Sequence, residues 1–288
     1  MPKRKINKYG LAREIPMPVK REVRKRCGFG CIKCGLMFYE YHHFDPPFHI
    51  AKAHNPEGIT LLCSNHHDGA TRGLISEDTV NELNKVPYCI ESSKSNYLLQ
   101  DLKFPLEVIM GGIVFMSVEG KLFSIDGTEI ISVTKGADSE PPFINANFHS
   151  DDGHNLKIVE NEIVAGVKNW DIETIKNEIT IRRKRGNVFL NVAIIAPRRL
   201  LIKNIRMINK GNIIHTKSID RYGEIYLCST TGAGTNKDFK GQILVGGTLS
   251  LNKGELKIEG GCAICPPEKA FDIDQAFLEI RKIAQVTN

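Results

Sequence analysis

The chain has 288 residues, 41% hydrophobic and 25% charged, which fits an ordinary soluble globular protein of two domains. No apolar run approaches the ~18–20 residues of a membrane helix, and MPKRKINKYG has no apolar h-region, so a cytoplasmic protein with no membrane partner is expected. The net charge of +6 is uneven: residues 1–35 hold eleven Lys or Arg against two acids, which points to a polyanion partner for this end.

Residues 1–15 are polar and basic without periodicity and read as a flexible arm. Pro16 and Pro18 then introduce VKREVRKRC, where Val19, Val23 and Cys27 recur at helical spacing. Lys20, Arg21, Arg24, Lys25 and Arg26 populate the other faces of this short basic helix. GFGCIKCG places glycines on both sides of a Cys-x2-Cys pair, and LMFYEYHHF reads as a strand that ends on His42 and His43. DPPFHIAKAHNPEG (45–58) is a loop by its proline and glycine content. ITLLC follows, and SNHHDGATRG is a helical turn at most, limited by Gly69 and Gly73. SEDTVNELNK (76–85) is a helix with Ser76 as its N-cap. Residues 87–103 read as a linker or a partly ordered connection. From 104 the chain is a succession of short β-type runs separated by Gly, Asn and Asp, and EKAFDIDQAFLEIRKIA (268–284) is amphipathic.

The expected class is therefore α+β, with a module over 1–95, a larger all-β domain over 104–265 (sandwich, barrel or solenoid-like), and a C-terminal helix over 268–288. The β-rich domain or the C-terminal helix could carry homo-oligomer contacts.

Six of the nine histidines and three of the eight cysteines fall between Cys31 and His67. In a reducing compartment, cysteines at such short spacing bind metal more often than they form disulfides. Cys31, Cys34, Cys63 and His66 make a Cys3His set whose halves each have two-residue spacing, which suits a closed, structural Zn2+ site. Cys27 reads as a helix-face cysteine instead. His42, His43 and His67 have no thiolate and too few ligands to close a sphere, as a catalytic metal site requires. If one of His42 and His43 joins His67 on a metal, the other stays free as a general base.

CIKCG, EYHHF and LLCSNHHDG together resemble the ββα-metal core of HNH endonucleases, in the branch braced by a zinc knuckle; the resemblance covers about residues 17–85. It implies a zinc-braced nuclease domain that hydrolyses phosphodiester bonds in DNA. By position, His43 would be the general base, His42 and His67 would hold Mg2+ or another divalent ion, and Cys31, Cys34, Cys63 and His66 would bind the structural zinc. The family's middle Asn falls here on Gly58, and Asn55, three residues earlier, is the candidate replacement. Thr71 stands where the family often has a further His or Asn. His49 and His54 read as solvated loop histidines. Lys20, Arg21, Arg24, Lys25, Arg26, Lys33 and Arg72 would grip the phosphate backbone. Restriction or anti-phage defence would suit such a nuclease joined to another module. The rival reading is a non-catalytic, zinc-stabilised nucleic-acid-binding protein whose β-rich part is an interaction or sensor domain. Cys262 and Cys265 form a second knuckle half without a partner pair.

Overall fold

A computed structural model describes residues 6–264 apart from 100–101, 103–105, 117–118, 137–142, 220–221, 230–233, 241, 253–254 and 261. The expected C-terminal helix over 268–288 and Cys265, one half of the expected Cys262–Cys265 pair, lie outside what is described. Strand takes up about half of the described residues and helix a small share, so the described part is predominantly β with a small helical part that carries the Cys/His cluster.

The helical part comes first. Helix α1 (Met17–Arg26) starts with Pro18 in its first turn, where the missing N–H costs nothing, and ends on Arg24, Lys25 and Arg26, whose charges suit its negative end. Strand β1 (Glu40–His43) pairs antiparallel with β2 (Ile59–Leu62), His43 opposite Ile59 and His42 opposite Thr60. A 3-10 turn over Pro56–Gly58 leads into β2. Helix α2 (Ser64–Thr71) is longer than the single turn expected. Gly69 does not break it, because Gly69 is buried against Ile75. Gly73 does end it: at φ +75° it closes a Schellman cap in which Leu74 N–H reaches Gly69 O at 2.8 Å. In α3 (Glu77–Lys85) the Ser76 hydroxyl accepts from Thr79 N–H, as its sequence predicts.

Residues 88–98 of the expected connection are structured. They form α4 (Tyr88–Ser92) and β3 (Lys94–Leu98), and β3 is already an edge strand of the main β structure. The succeeding strands are β4 (Glu107–Met110), β5 (Ile113–Met116), β6 (Gly120–Ile125), β7 (Thr128–Thr134), β8 (Phe143–His149), β9 (Asn155–Val159) and β10 (Glu162–Gly166). Then come β11 (Asp171–Ile175), β12 (Glu178–Lys184), β13 (Asn187–Ile195), β14 (Arg199–Asn209), β15 (Asn212–Ile219), β16 (Tyr222–Ser229) and β17 (Gly234–Lys240). Strands β18 (Gln242–Val245), β19 (Thr248–Asn252), β20 (Glu255–Glu259) and β21 (Cys262–Ile264) complete the described part. Most neighbours are hairpins. The β6–β7 turn, for example, is the two residues Asp126-Gly127, both with positive φ, the conformation that matches strand twist.

Two large sheets result. One has the order β20-β19-β6-β7-β8-β9-β10-β3; the other runs β11-β12-β13-β14-β4-β5-β18-β21, with β15, β16 and β17 continuing from β14. Alternating apolar residues of both sheets share one buried cluster that includes Phe115, Phe123, Phe148 and Phe189.

The helical part has a small core of its own around Val23, Ile32, Leu61, Leu62 and Val80. It is also tied firmly to the β structure. Phe29 and Met37 join the large cluster, Met37 N–H donates to Asn96 O, and the Thr174 hydroxyl donates to Met37 O. Arg24 is 1% exposed and hydrogen-bonds Asp171 and Glu173 of β11. Arg182 of β12 completes the network on the same two acids. Arg24 thus links α1 to a sheet edge 147 residues away.

Candidate metal centre and histidine cleft

The Cys-x2-Cys turn and the start of α2 bring four donors together. The ligand atoms of Cys31, Cys34, Cys63 and His66 all lie within 4.8 Å of one another. His66 Nδ1 is 3.3 Å from both Cys31 Sγ and Cys63 Sγ, and Cys34 Sγ is 3.8 Å from Cys63 Sγ. A tetrahedron with metal–sulfur bonds of ~2.3 Å and a metal–nitrogen bond of ~2.0–2.1 Å has edges of roughly 3.5–3.8 Å. The four side chains are therefore close enough to hold one metal ion, and three sulfurs with one imidazole suit zinc chemistry. The Cys31 thiol is pulled down to about 4 by the hydrogen bond from Cys34, against the cost of burial and with help from the Cys63 and Lys33 amides. Cys27 stands apart. It is buried 3.5 Å from the Thr60 hydroxyl, and burial pushes its thiol up.

Adjacent residues on a helix point about 100° apart, so His66 and His67 serve different neighbours. His67 faces β1, with its ring 5.0 Å from that of His42 and nearly perpendicular to it. Glu40 sits two residues before His42 on the same side of the strand, and its Oε2 is 3.7 Å from His67 Nδ1. The sequence reading passed over Glu40; alternation from His42 was the available signal.

His42, His43 and His67 line one cleft of about 480 Å³ together with Arg13, Lys20 and His49. Burial, with His67 adding its charge, pushes His42 down to about 4. His43 is also pushed to about 4, first by burial and then by His54, His42 and Arg13. Both rings are therefore neutral at neutral pH, the form that can bind a cation or accept a proton. Thr71 borders the same cleft, but its hydroxyl donates back to His67 O at 2.8 Å.

His43 Nε2 is 3.0 Å from His54 Nδ1, and His54 Nε2 is 2.9 Å from Ala12 O. His54 is thus a fixed neighbour of His43 and not a solvated loop residue. Asn55 takes no part in the cleft. Its side chain is exposed, accepts from Glu57 N–H to cap the 3-10 turn, and borders a different groove. Gly58 has no room for a side chain, since a Cβ there would lie 1.6 Å from Asp45 O.

The basic residues divide. Arg24 is sequestered in its carboxylate network: burial, the largest single cause, lowers it, but the Asp171 hydrogen bond and the charges of Tyr41, Tyr39 and Asp171 together raise it above its ordinary value. It cannot meet a phosphate. Arg26 clasps the 3-10 turn through Pro56 O, Ile59 O and Glu57. Arg21 lies 3.7 Å above the Trp170 ring and donates to Trp170 O. Lys25 and Lys33 are exposed, and Arg72 is exposed in a pair with Asp68. Lys20 faces the histidine cleft, whereas Arg21, Lys25 and Arg185 border the other, larger groove of about 1490 Å³.

Compared with protein-family models, with curated proteins and with solved structures, the chain finds no match. Its function must be argued from the site.

Proposed function

We propose that the chain is a metal-dependent endonuclease acting on DNA through the histidine cleft, braced by a structural zinc at Cys31, Cys34, Cys63 and His66. The observation that carries this reading is the pairing of two imidazoles across the hairpin and α2, His42 and His67 at 5.0 Å, beside a third whose outer nitrogen is already engaged. An antiparallel hairpin followed by a helix, with the thiolate set at its base, is the arrangement the HNH resemblance implies.

His43 would take the proton from the attacking water, its ring held by His54. His42 and His67 would hold Mg2+ or another divalent ion, with Glu40 steadying His67 through Nδ1. When bound, that ion supplies charge stabilisation at the scissile phosphate. Arg13 and Lys20 in the cleft would bind the flanking phosphates, with Lys25, Lys33 and Arg72 as outlying contacts. The closed thiolate site would hold the hairpin and α2 in register.

The test is plasmid cleavage by the full chain with Mg2+, Mn2+ or Ni2+, beside His43→Ala. Cleavage that falls by ~100-fold or more in the variant supports the reading. Equal cleavage by both proteins removes His43 from the chemistry. DNA binding without cleavage in any metal would favour the non-catalytic, zinc-stabilised binding protein.

A further inference from the structure

The basic N-terminal segment looked from its sequence like a free arm, yet residues 6–15 are laced to the histidine cleft. Asn7 Nδ2 donates to Phe48 O at 2.7 Å and to Ala51 O at 2.6 Å. Its Oδ1 accepts from Tyr9 and Leu11 N–H, and Ile6 bridges to Ala12 in antiparallel fashion. Arg13 lies 5.4 Å over the Phe48 ring, which packs edge-on against His43 at 5.4 Å, and Ile15 is buried in the small core. The segment thereby delivers the Ala12 carbonyl to His54.

That contact fixes protons. A carbonyl oxygen can only accept, so His54 Nε2 bears the hydrogen in its 2.9 Å contact with Ala12 O. A neutral His54 then has a lone pair on Nδ1. His43 Nε2, 3.0 Å away, must bear the hydrogen between them, because the other tautomer would set two lone pairs against each other. A neutral His43 is left with its lone pair on Nδ1. We propose that residues 6–15 are a positioning strap that, through Ala12 O and His54, selects the His43 tautomer whose Nδ1 is free to accept a proton. The value of that tautomer to catalysis rests on the reading of His43 as general base; the relay itself does not. His54 and the strap act through His43 and are positioning residues.

The experiment is long-range 1H–15N NMR of the histidine rings in the full chain, which tells a protonated from an unprotonated ring nitrogen. The expected result is His43 with Nε2 protonated and Nδ1 bare. His54→Leu removes the acceptor and should shift His43 to a mixture of tautomers. His54→Asn keeps an oxygen near the Nδ1 position and should restore the wild-type pattern. Asn7→Ala, which loosens the strap without touching either ring, should shift it part-way. In cleavage assays, His54→Leu should lower kcat by ~10–100-fold with KM little changed, and His54→Asn should recover most of the loss. A wild-type His43 protonated on Nδ1, or one unchanged in His54→Leu, overturns the relay whatever the activity. A shifted tautomer with unaltered cleavage would leave the relay standing and sink His43 as the base.

Discussion

Arg24 grips Asp171 through two parallel hydrogen bonds, Nε to Oδ1 at 2.9 Å and Nη2 to Oδ2 at 2.8 Å, with both side chains almost wholly buried. Its remaining nitrogen reaches Glu173 at 3.1 Å and the Tyr41 hydroxyl at 2.9 Å. Tyr41 precedes His42 on β1, so one guanidinium connects the histidine strand to the edge of the larger sheet.

Breaking this pair from one side leaves a buried charge uncompensated. Removing one partner of such a pair costs about 3–5 kcal/mol, far more than the pair contributes over an apolar substitute. Arg24→Met is therefore expected to be about 3–5 kcal/mol less stable to denaturant, and Arg24→Lys to lose much of that too, because an ammonium cannot reproduce the two-pronged grip. An isolated fragment of residues 1–95 would lose the same partners and bare Phe29 and Met37, so it should not hold the native hairpin on its own. A wild-type denaturation midpoint for Arg24→Met would show that the network carries no such weight.

The thiolate site and the histidine cleft part company at His66 and His67. Purified protein should carry about one zinc per chain, measured by elemental analysis. His66→Ala should lose that zinc and several kcal/mol of stability, because folding and metal binding share one free energy. His67→Ala should keep the zinc and its stability, while losing cleavage in Mg2+ or Mn2+. Zinc retained in His66→Ala would remove His66 from the ligand set.

These two sites differ in how far they could be read from the sequence. The Cys-x2-Cys and Cys-x2-His spacings are local, since one tight turn supplies two corners, and their residues do lie close enough for a metal. The succession of short β runs was legible for the same reason: alternation and turn residues act over a few positions. Arg24 read as a phosphate-gripping residue of a basic helix because its acids stand 147 residues away. His54 read as a loop histidine because its meaning depends on a carbonyl 42 residues earlier in the chain. Strand β3 was not legible because it pairs with β10, which no property of 87–103 announces.

Gly58 marks where the family pattern and this chain diverge, and the divergence has a steric cause. Phe44 and Asp45 N–H both point at Gly58 O, at 3.0 and 3.3 Å, which draws the backbone of Asp45 over the glycine. A Cβ at that position would meet Asp45 O at 1.6 Å, a distance that no side-chain rotation can relieve. The family Asn therefore cannot be restored at this site without opening the end of β1 just beyond His43. Gly58→Ala and Gly58→Asn are both expected to cost ~1–3 kcal/mol or more, and both should lower cleavage by displacing His43. Resemblance alone predicts the opposite for Gly58→Asn, a gain in activity. Thermal melts and cleavage rates of the two variants, measured together, decide between them: a stable and faster Gly58→Asn would refute the close approach of Asp45.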